Sequence, residues 1–470
     1  MKTRARVLLA ASATTGLAVL LAAALPAYAA FKLPAPEKLT LKNGLVVYFQ
    51  RNSDLPLISF QMWLRGAGSA AEPAELEGAA GLTAALMTKG TAGMDADALA
   101  EAVDFMGADL TIAAAEEYAS VGTQSLAEHF PKIMEIAADC LKSPAFKDDE
   151  FAKERKTRLD TLKSMKDNPA AAVRAYFKKA YFGAHPLGRL ASGTETSLGR
   201  MTAADVRTFY KKFYHPANGI AAVVGDIDKA KLLDVLNATI GRWTVPGAAP
   251  AAPAVPPLPR PAGRTLILID KPDATQAYWV LGAPGYRQGD PVSGPAAVMN
   301  TLFGGRFTSW LSTELRIKRG LTYGAGSNFQ SWAAGGIFSA SSYTKNDKIG
   351  EMLQIAFDLL KKARSSGFAA EEVESARNYI LGQFPPTLES NASKAGTYVR
   401  LAFYRLGFDY LDTYLARIRA VAPPEAKDAA AKFIPDADFI LVVVGKAAEI
   451  KSQLDKFGTW TVKKITDPDF

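Results

Sequence analysis

The sequence predicts an α+β protein of two homologous αβ-roll domains, each an antiparallel-rich sheet covered by helices, joined by a proline-rich linker. Three observations carry this. Residues 245–264 read VPGAAPAAPAVPPLPRPAGR, and prolines without amide donors and with a fixed φ exclude helix or central strand there. The segments on either side, 30–244 and 265–470, are nearly equal in length. They also close alike: Val223-Val224-Gly225 and a helical stretch lead to Trp243-Thr244-Val245, and Val443-Val444-Gly445 and a helical stretch lead to Trp460-Thr461-Val462. The glycines lie 220 residues apart and the tryptophans 217, the mark of a duplicated unit.

The elements follow from periodicity. In the first half, Leu39 to Gln50 and Leu57 to Leu64 alternate as strands do, with Asn43-Gly44 as a tight turn. Helices are predicted over Gly78 to Met87, from the cap Asp95 to before Gly107, over Glu128 to Leu141, and over the charged run Lys147 to Lys166, which Asn168-Pro169 halts. A last one runs from the cap Thr202 to Phe213. The second half repeats the mixture, with strands near Arg264 to Asp270, Gln276 to Gly282, Thr322 to Phe329 and Gly336 to Thr344. Its helices lie near Thr308 to Lys318, Asp347 to Ser365 and Ala370 to Leu381. Strands interspersed with long helices indicate α+β layers.

The chain opens with Lys2, Arg4 and Arg6, an apolar run from Val7 to Leu25, and Ala27-Tyr28-Ala29. This is the order of a secretory signal, residues 1–29, cleaved after Ala29; the alternative is a membrane anchor. Export across an inner membrane, to a periplasm, is the expected destination. Removing those residues lowers the formal charge from +8 to +5. Basic residues are interleaved with acidic ones, as in Lys153-Glu154-Arg155-Lys156, so no nucleic-acid partner is expected. The single Cys140, inside an apolar pattern, excludes an intrachain disulfide and reads as a core residue.

Gly66-Ala67-Gly68-Ser69, the acidic stretch Glu72 to Glu77, and Gly78-Ala79-Ala80-Gly81-Leu82-Thr83-Ala84-Ala85-Leu86-Met87-Thr88-Lys89-Gly90-Thr91 resemble the zinc-motif region of insulinase and pitrilysin-type peptidases. Active members carry His-x-x-Glu-His there: two imidazoles hold zinc, and the carboxylate takes a proton from its water. Aligned from Gly78 and from Lys89-Gly90-Thr91, the histidine positions are Gly81 and Ala85 and the glutamate position is Ala84. None can bind a metal or move a proton. The resemblance implies a further Glu ligand on the charged helix, where only Asp160 in Leu159-Asp160-Thr161-Leu162 offers a carboxylate. His129, His185 and His215 lack ligand spacing and read as loop or capping residues, so no metal is expected in this chain. The segment Leu110 to Tyr118 lacks the Asn with which active members align a peptide as an added strand, and looks like the inactive partner subunits.

Residues 301–328, TLFGGRFTSWLSTELRIKRGLTYGAGSN, resemble the family's C-terminal signature of a Gly-Gly loop, a helix ending in Arg, and a Tyr seven residues later on a strand. Arg316 and Tyr323 hold those places, and Gly304-Gly305 reads as a tight turn. By resemblance the pair contacts substrate and supports the transition state; a Tyr hydroxyl can donate to an oxyanion and an Arg can hold a carbonyl or carboxylate. Without the resemblance, Arg316, Lys318 and Arg319 suit a helix C-terminus. Asp167-Asn168-Pro169 and the His-Pro-Leu-Gly segment add to the match. The resemblance implies the non-zinc-binding subunit of a heterodimeric metallopeptidase, similar to those of mitochondrial processing peptidase-like pairs, with zinc in a paralogous partner bearing His-x-x-Glu-His and a peptide as substrate. The alternative is an inactive peptide-binding or scaffolding protein of the cell envelope.

Overall fold

Alternation along β3, Leu57–Arg65, sends Ile58, Phe60, Met62 and Leu64 into one core and Ser59, Gln61, Trp63 and Arg65 to the opposite face. In the computed structural model, which describes residues 33–470, β3 sits inside a sheet with β1 (Glu37–Thr40), β2 (Val46–Arg51), β4 (Asp109–Ala114), β5 (Tyr118–Leu126) and β6 (Gly219–Gly225). The order is β1-β2-β6-β3-β5-β4, antiparallel throughout except β2 with β6. Asn43 and Gly44 turn β1 into β2, with Gly44 at φ 86°.

Among the described residues of this half the helices are α1 (Ala79–Leu86), α2 (Ala96–Phe105), α3 (Phe130–Lys142), α4 (Asp148–Asp167), α5 (Pro169–Phe182), α6 (Glu195–Arg200), α7 (Ala203–Phe213) and α8 (Lys229–Ala238). Asp95 caps α2 through Ala98 N at 2.9 Å, and Thr202 with Asp205 forms a capping box on α7. Cys140 is fully buried in α3, and burial pushes its thiol up to about 12. Asn168-Pro169 ends α4 and also starts α5. Asn168 Oδ1 accepts from Ala170 N and Ala171 N, and Pro169 takes the first helical position, where its missing amide costs nothing.

The second sheet holds β7 (Arg264–Asp270), β8 (Gln276–Pro284), β9 (Ala325–Ser331), β10 (Gly336–Lys345), β11 (Phe439–Gly445) and β12 (Trp460–Lys464), in the order β12-β7-β11-β8-β10-β9. Its helices are α9 (Ser293–Asn300), α10 (Ile349–Ser366), α11 (Ala370–Gln383), α12 (Asn391–Phe403), α13 (Tyr410–Ala420), α14 (Pro423–Phe433) and α15 (Ala447–Leu454). Five sheet positions correspond between the halves, with β2, β6, β3, β5 and β4 matched by β7, β11, β8, β10 and β9. The sixth does not. β1 comes before β2 and runs antiparallel to it, whereas β12 arrives from the chain's end and runs parallel to β7.

The two halves exchange helices. α5 of the first half packs on β8 and β11 of the second sheet, and α12 of the second half packs on β3 and β6 of the first. The first exchange needs Gly282, because the Phe177 ring lies where a Cβ would stand, 2.1 Å from it. The second is stitched by polar groups: Asn391 Nδ2 donates to Leu57 O at 3.0 Å, the Tyr398 hydroxyl to Gln50 Oε1, and Arg65 to the Phe403 carbonyl. Local periodicity shows that these helices exist but carries nothing about which sheet they cover.

Residues 245–263 form neither helix nor strand, as the prolines require. The segment is held by other means. Asn218 Nδ2 donates to Pro250 O at 2.8 Å, His185 Nε2 contacts Pro256 O at 3.0 Å, and Val255 and Leu258 pack against the core shared by α5 and the second sheet. Among the described residues no helix is long and apolar enough to cross a membrane. The signal assigned to residues 1–29 and its cleavage point lie outside the described residues.

Candidate functional site

The degenerate metal motif lies on α1, a short helix whose start is fixed by hydrogen bonds to an upstream side chain. Gly78 adopts φ 98°, and the Glu72 carboxylate accepts from Gly78 N at 3.0 Å and Ala80 N at 2.7 Å, serving as cap from six residues upstream. Burial pushes the Glu72 carboxyl up to about 8, against the two amide hydrogen bonds that favour its ionised form. Glu77 binds Lys179 at 2.5 Å and Leu190 N at 2.6 Å, tying the start of α1 to α5 and to the loop after it.

Gly81 and Ala84 are buried, and Ala85 is half-buried. A Cβ on Gly81 would stand 2.1 Å from the Ala191 carbonyl oxygen and 2.9 Å from Arg158 Nη1, so this histidine position has no room for any side chain. The Arg158 guanidinium fills the space. It donates from Nη2 to Gly81 O at 2.8 Å, from Nη1 to Ala191 O at 2.9 Å and from Nε to Glu154 Oε1 at 3.1 Å. Burial lowers the Arg158 pKa, and Glu154 and Glu72 oppose that shift.

Asp160 is not brought to this place. Two residues beyond Arg158 on a helix, it faces the other way and forms an exposed pair with Lys156 at 2.9 Å, which holds its carboxyl below the usual range. A zinc ion therefore does not fit here: one ligand position is filled by backbone and guanidinium, and the window's carboxylate points to solvent. Among the described residues no group of three or more His, Cys, Asp or Glu is placed to hold a metal. His185 and His215 each cap a short turn through Nδ1, accepting from Leu187 N at 3.2 Å and Ala217 N at 3.1 Å. His129 precedes α3 without a side-chain cap bond.

The segment Leu110 to Tyr118, which lacks the family's Asn, comprises most of β4, a turn through Glu116 and Glu117, and the start of β5. Among the described residues β4 is the outer strand of its sheet and pairs only with β5. Across the chain, the second half bears a groove of about 460 Å³ between α5 and the polar face of β9 and β10, lined among others by Arg174, Phe177, Asn328, Gln330, Ser339 and Ser341.

Arg316 lies in a π-helical turn, Thr313–Lys318, ended by Gly320 at φ 61°. Its guanidinium stands 4.7 Å over the exposed Phe307 ring. Glu314, the nearest acid in sequence, is engaged by Lys318 at 2.5 Å and approached by Arg319 at 3.9 Å. Tyr323 is 81% exposed. It precedes β9 by two residues, so it sits on a loop and not on the predicted strand. That loop is pinned from below: Thr322 Oγ1 donates to Gly324 O at 3.0 Å, Ser342 Oγ to the same oxygen at 2.8 Å, and Thr344 Oγ1 to Leu321 O at 2.7 Å. A rigid backbone thus presents the phenol outward. Arg316 and Tyr323 flank one turn, and no hydrogen bond joins them.

Gly304 and Gly305 are not the predicted tight turn. They end a π-helical stretch, Thr301–Gly305, and Gly304 lets it lie against β9, where a Cβ would be 2.4 Å from Ser327 N. Sequence reasoning missed Arg158 and Glu72 as the groups that organise α1. The signal for Arg158 was its spacing of four from Glu154 on one helix face; Glu72 gave none.

Comparison with known proteins agrees with this architecture. Residues 58–195 match the model of the insulinase family, peptidase family M16, and residues 200–380 match that of the peptidase M16 inactive domain. An uncharacterized zinc protease of Streptomyces coelicolor is 28% identical over 395 residues, covering 83% of this chain and 85% of that protein. A protein of Helicobacter pylori described as the non-peptidase homolog YmxG is 24% identical over 388 residues, covering 81% and 87%. A solved peptidase M16 inactive domain from Pseudomonas fluorescens superposes with a TM-score of 0.81 at 24% identity, covering 88% of this chain and 98% of that one. A protease from Helicobacter pylori superposes at 0.82 and 22% identity, covering 88% and 100%. The chain belongs to the M16 family of insulinase-type proteins. With Gly81, Ala84 and Ala85 in the motif, it is a non-catalytic member.

Proposed function

We propose that this protein is the non-catalytic subunit of a two-chain zinc peptidase, exported to the periplasm, whose paralogous partner holds the zinc on an intact His-x-x-Glu-His helix. In this arrangement the chain closes the chamber over a peptide. Tyr323 donates to the developing oxyanion, and Arg316 holds a peptide carbonyl or carboxylate. The observation that carries the reading is a contrast within one molecule. The former metal position is packed with Arg158 and backbone, while Tyr323 is held outward on a pinned loop and Arg316 has no carboxylate partner among the described residues. The free edge of β4 and the polar groove beside α5 are surfaces on which an extended peptide could lie.

The test mixes the purified chain with a paralog bearing the intact motif and measures peptide cleavage. Activity of the mixture well above that of the paralog alone, reduced by Arg316→Ala and by Tyr323→Phe, is the expected result. No gain on mixing would leave the scaffolding alternative as the better account. Full activity of both variants would remove the pair from the chemistry.

A further inference from the structure

We infer that Arg158 has taken over the structural work of a bound cation at the degenerate site, and that it, together with Gly81, bars a metal from returning even if the motif is restored. This inference rests on family membership and the motif register alone, independent of any partner.

A metal held between α1 and α4 would link two helices by binding donors from both. Arg158 makes the same link with a different chemistry. From α4 it reaches the Gly81 carbonyl inside α1, the Ala191 carbonyl in the loop before α6, and Glu154 one turn back on its own helix. A guanidinium suits this role because its donors lie in one plane in fixed directions, and three of them are used here on three separate oxygens. An ammonium on a flexible stem cannot reproduce that geometry.

The site is also closed sterically. The Ala191 carbonyl lies 2.1 Å from where a Gly81 Cβ would be, so glycine is the residue that lets this loop and α1 approach. Arg158 bonds both carbonyls that define the approach. Glycine and arginine are therefore one device: the first removes the ligand's side chain, and the second ties down the backbone that moved in. Glu154, which accepts from Nε, is the main group that opposes the effect of burial on the half-buried guanidinium. Loss of Arg158 leaves the Glu154 carboxylate and the Gly81 and Ala191 carbonyls without their shared donor, a costly state in a partly buried setting.

The experiment compares four versions of the chain from residue 30: unchanged, Arg158→Ala, Gly81→His/Ala84→Glu/Ala85→His, and all four substitutions together. Thermal midpoint and zinc per chain after dialysis are measured for each. Arg158→Ala should lower the midpoint by several degrees and recover stability on titration with methylguanidinium, which refills the vacated space. Arg158→Lys should recover less than half of the loss. The motif-restored chain with Arg158 in place should hold no stoichiometric zinc. An unchanged midpoint in Arg158→Ala, or one zinc per chain at unchanged stability in the motif-restored form, overturns the inference. If Arg158→Ala fails to fold, the unchanged protein decides through its arginine side-chain N–H resonances. Slow solvent exchange at Arg158 Nε and Nη supports the link, and exchange as fast as at the exposed Arg319 overturns it.

Discussion

Glu117, at the tip of the β4–β5 hairpin, accepts a hydrogen bond from the Tyr404 hydroxyl, just past α12 in the other half, at 2.7 Å. The same carboxylate accepts from Ala333 N at 3.1 Å, at the tip of the β9–β10 hairpin. Equivalent hairpins of the two halves therefore meet through one acidic side chain. Arg65 and Phe403 lie beside it, with the guanidinium 4.1 Å over the ring.

Tyr404→Phe removes one donor from Glu117 and leaves the other, so it should destabilise the chain by about 1 kcal/mol, the usual worth of such a bond. Burial holds the Glu117 carboxyl above the usual range despite both donors. The folded protein then keeps this proton more readily than the unfolded chain. Its contribution to stability is fully present below the unfolded pKa and is lost as pH rises through the folded one. Urea unfolding of Glu117→Gln and the unchanged chain across pH should show the glutamine variant gaining relative stability as pH rises. A difference independent of pH would show that the carboxyl is not perturbed.

Glu72 gives a wider window. Its carboxyl titrates at about 8 when folded, against 4.5 for the free group, so between those values the native state binds the extra proton. The part of stability due to that proton is complete below about 4.5 and disappears as pH passes 8. Glu72→Gln should therefore narrow its stability deficit steadily from pH 5 to pH 9. A deficit that widens over that range would mean that the two helix amides, not burial, dominate the carboxyl.

Much of this fold was legible because it is built from local signals. The period-two pattern of Leu57 to Leu64, the caps Asp95 and Thr202, and the prolines of 245–264 each act within a few residues, and each has its structural counterpart. The pattern of the site was legible only by absence. Gly81, Ala84 and Ala85 announce a lost motif, but what replaced it depends on Ala191 and Arg158, which are distant in sequence and meet only through packing. The exchange of α5 and α12 is invisible for the same reason: an apolar helix face is a demand for burial, and nothing in it names the sheet that meets the demand. Asp160 shows the converse error, where composition offered a carboxylate that helix phase turns to solvent.

Gly282 tests the exchange directly. The Phe177 ring from α5 rests on its Cα, and a methyl there would overlap the ring. Gly282→Ala should cost about 1–3 kcal/mol, as overpacking does, and should loosen α5 specifically. Hydrogen exchange should accelerate in 169–182 well beyond any change in α3, which packs against the other sheet. Equal acceleration in both helices would mean that α5 is not an independent docking element. Pairing the variant with Phe177→Leu should return part of the loss, since the smaller side chain vacates the contested space.

Arg316 and Tyr323 separate stability from function. Tyr323 is largely exposed and has no hydrogen-bond partner among the described residues, while the fold around it is held by Thr322, Ser342 and Thr344. Tyr323→Phe should leave the thermal midpoint within error, because exposed substitutions away from packing seldom change stability. Arg316→Ala loses its stacking on Phe307 and should act similarly. If the proposed role holds, Tyr323→Phe should lower kcat of the mixed enzyme roughly ten- to a hundredfold with little change in KM, as loss of a transition-state donor does. Arg316→Ala should raise KM instead, because holding a carbonyl or carboxylate is largely substrate binding. Thr344→Val is the control on presentation: it removes the bond to Leu321 O and frees the loop without touching the phenol. Reduced kcat in that variant would show that the rigid loop matters. An unchanged kcat in all three would mean that this surface serves something other than catalysis.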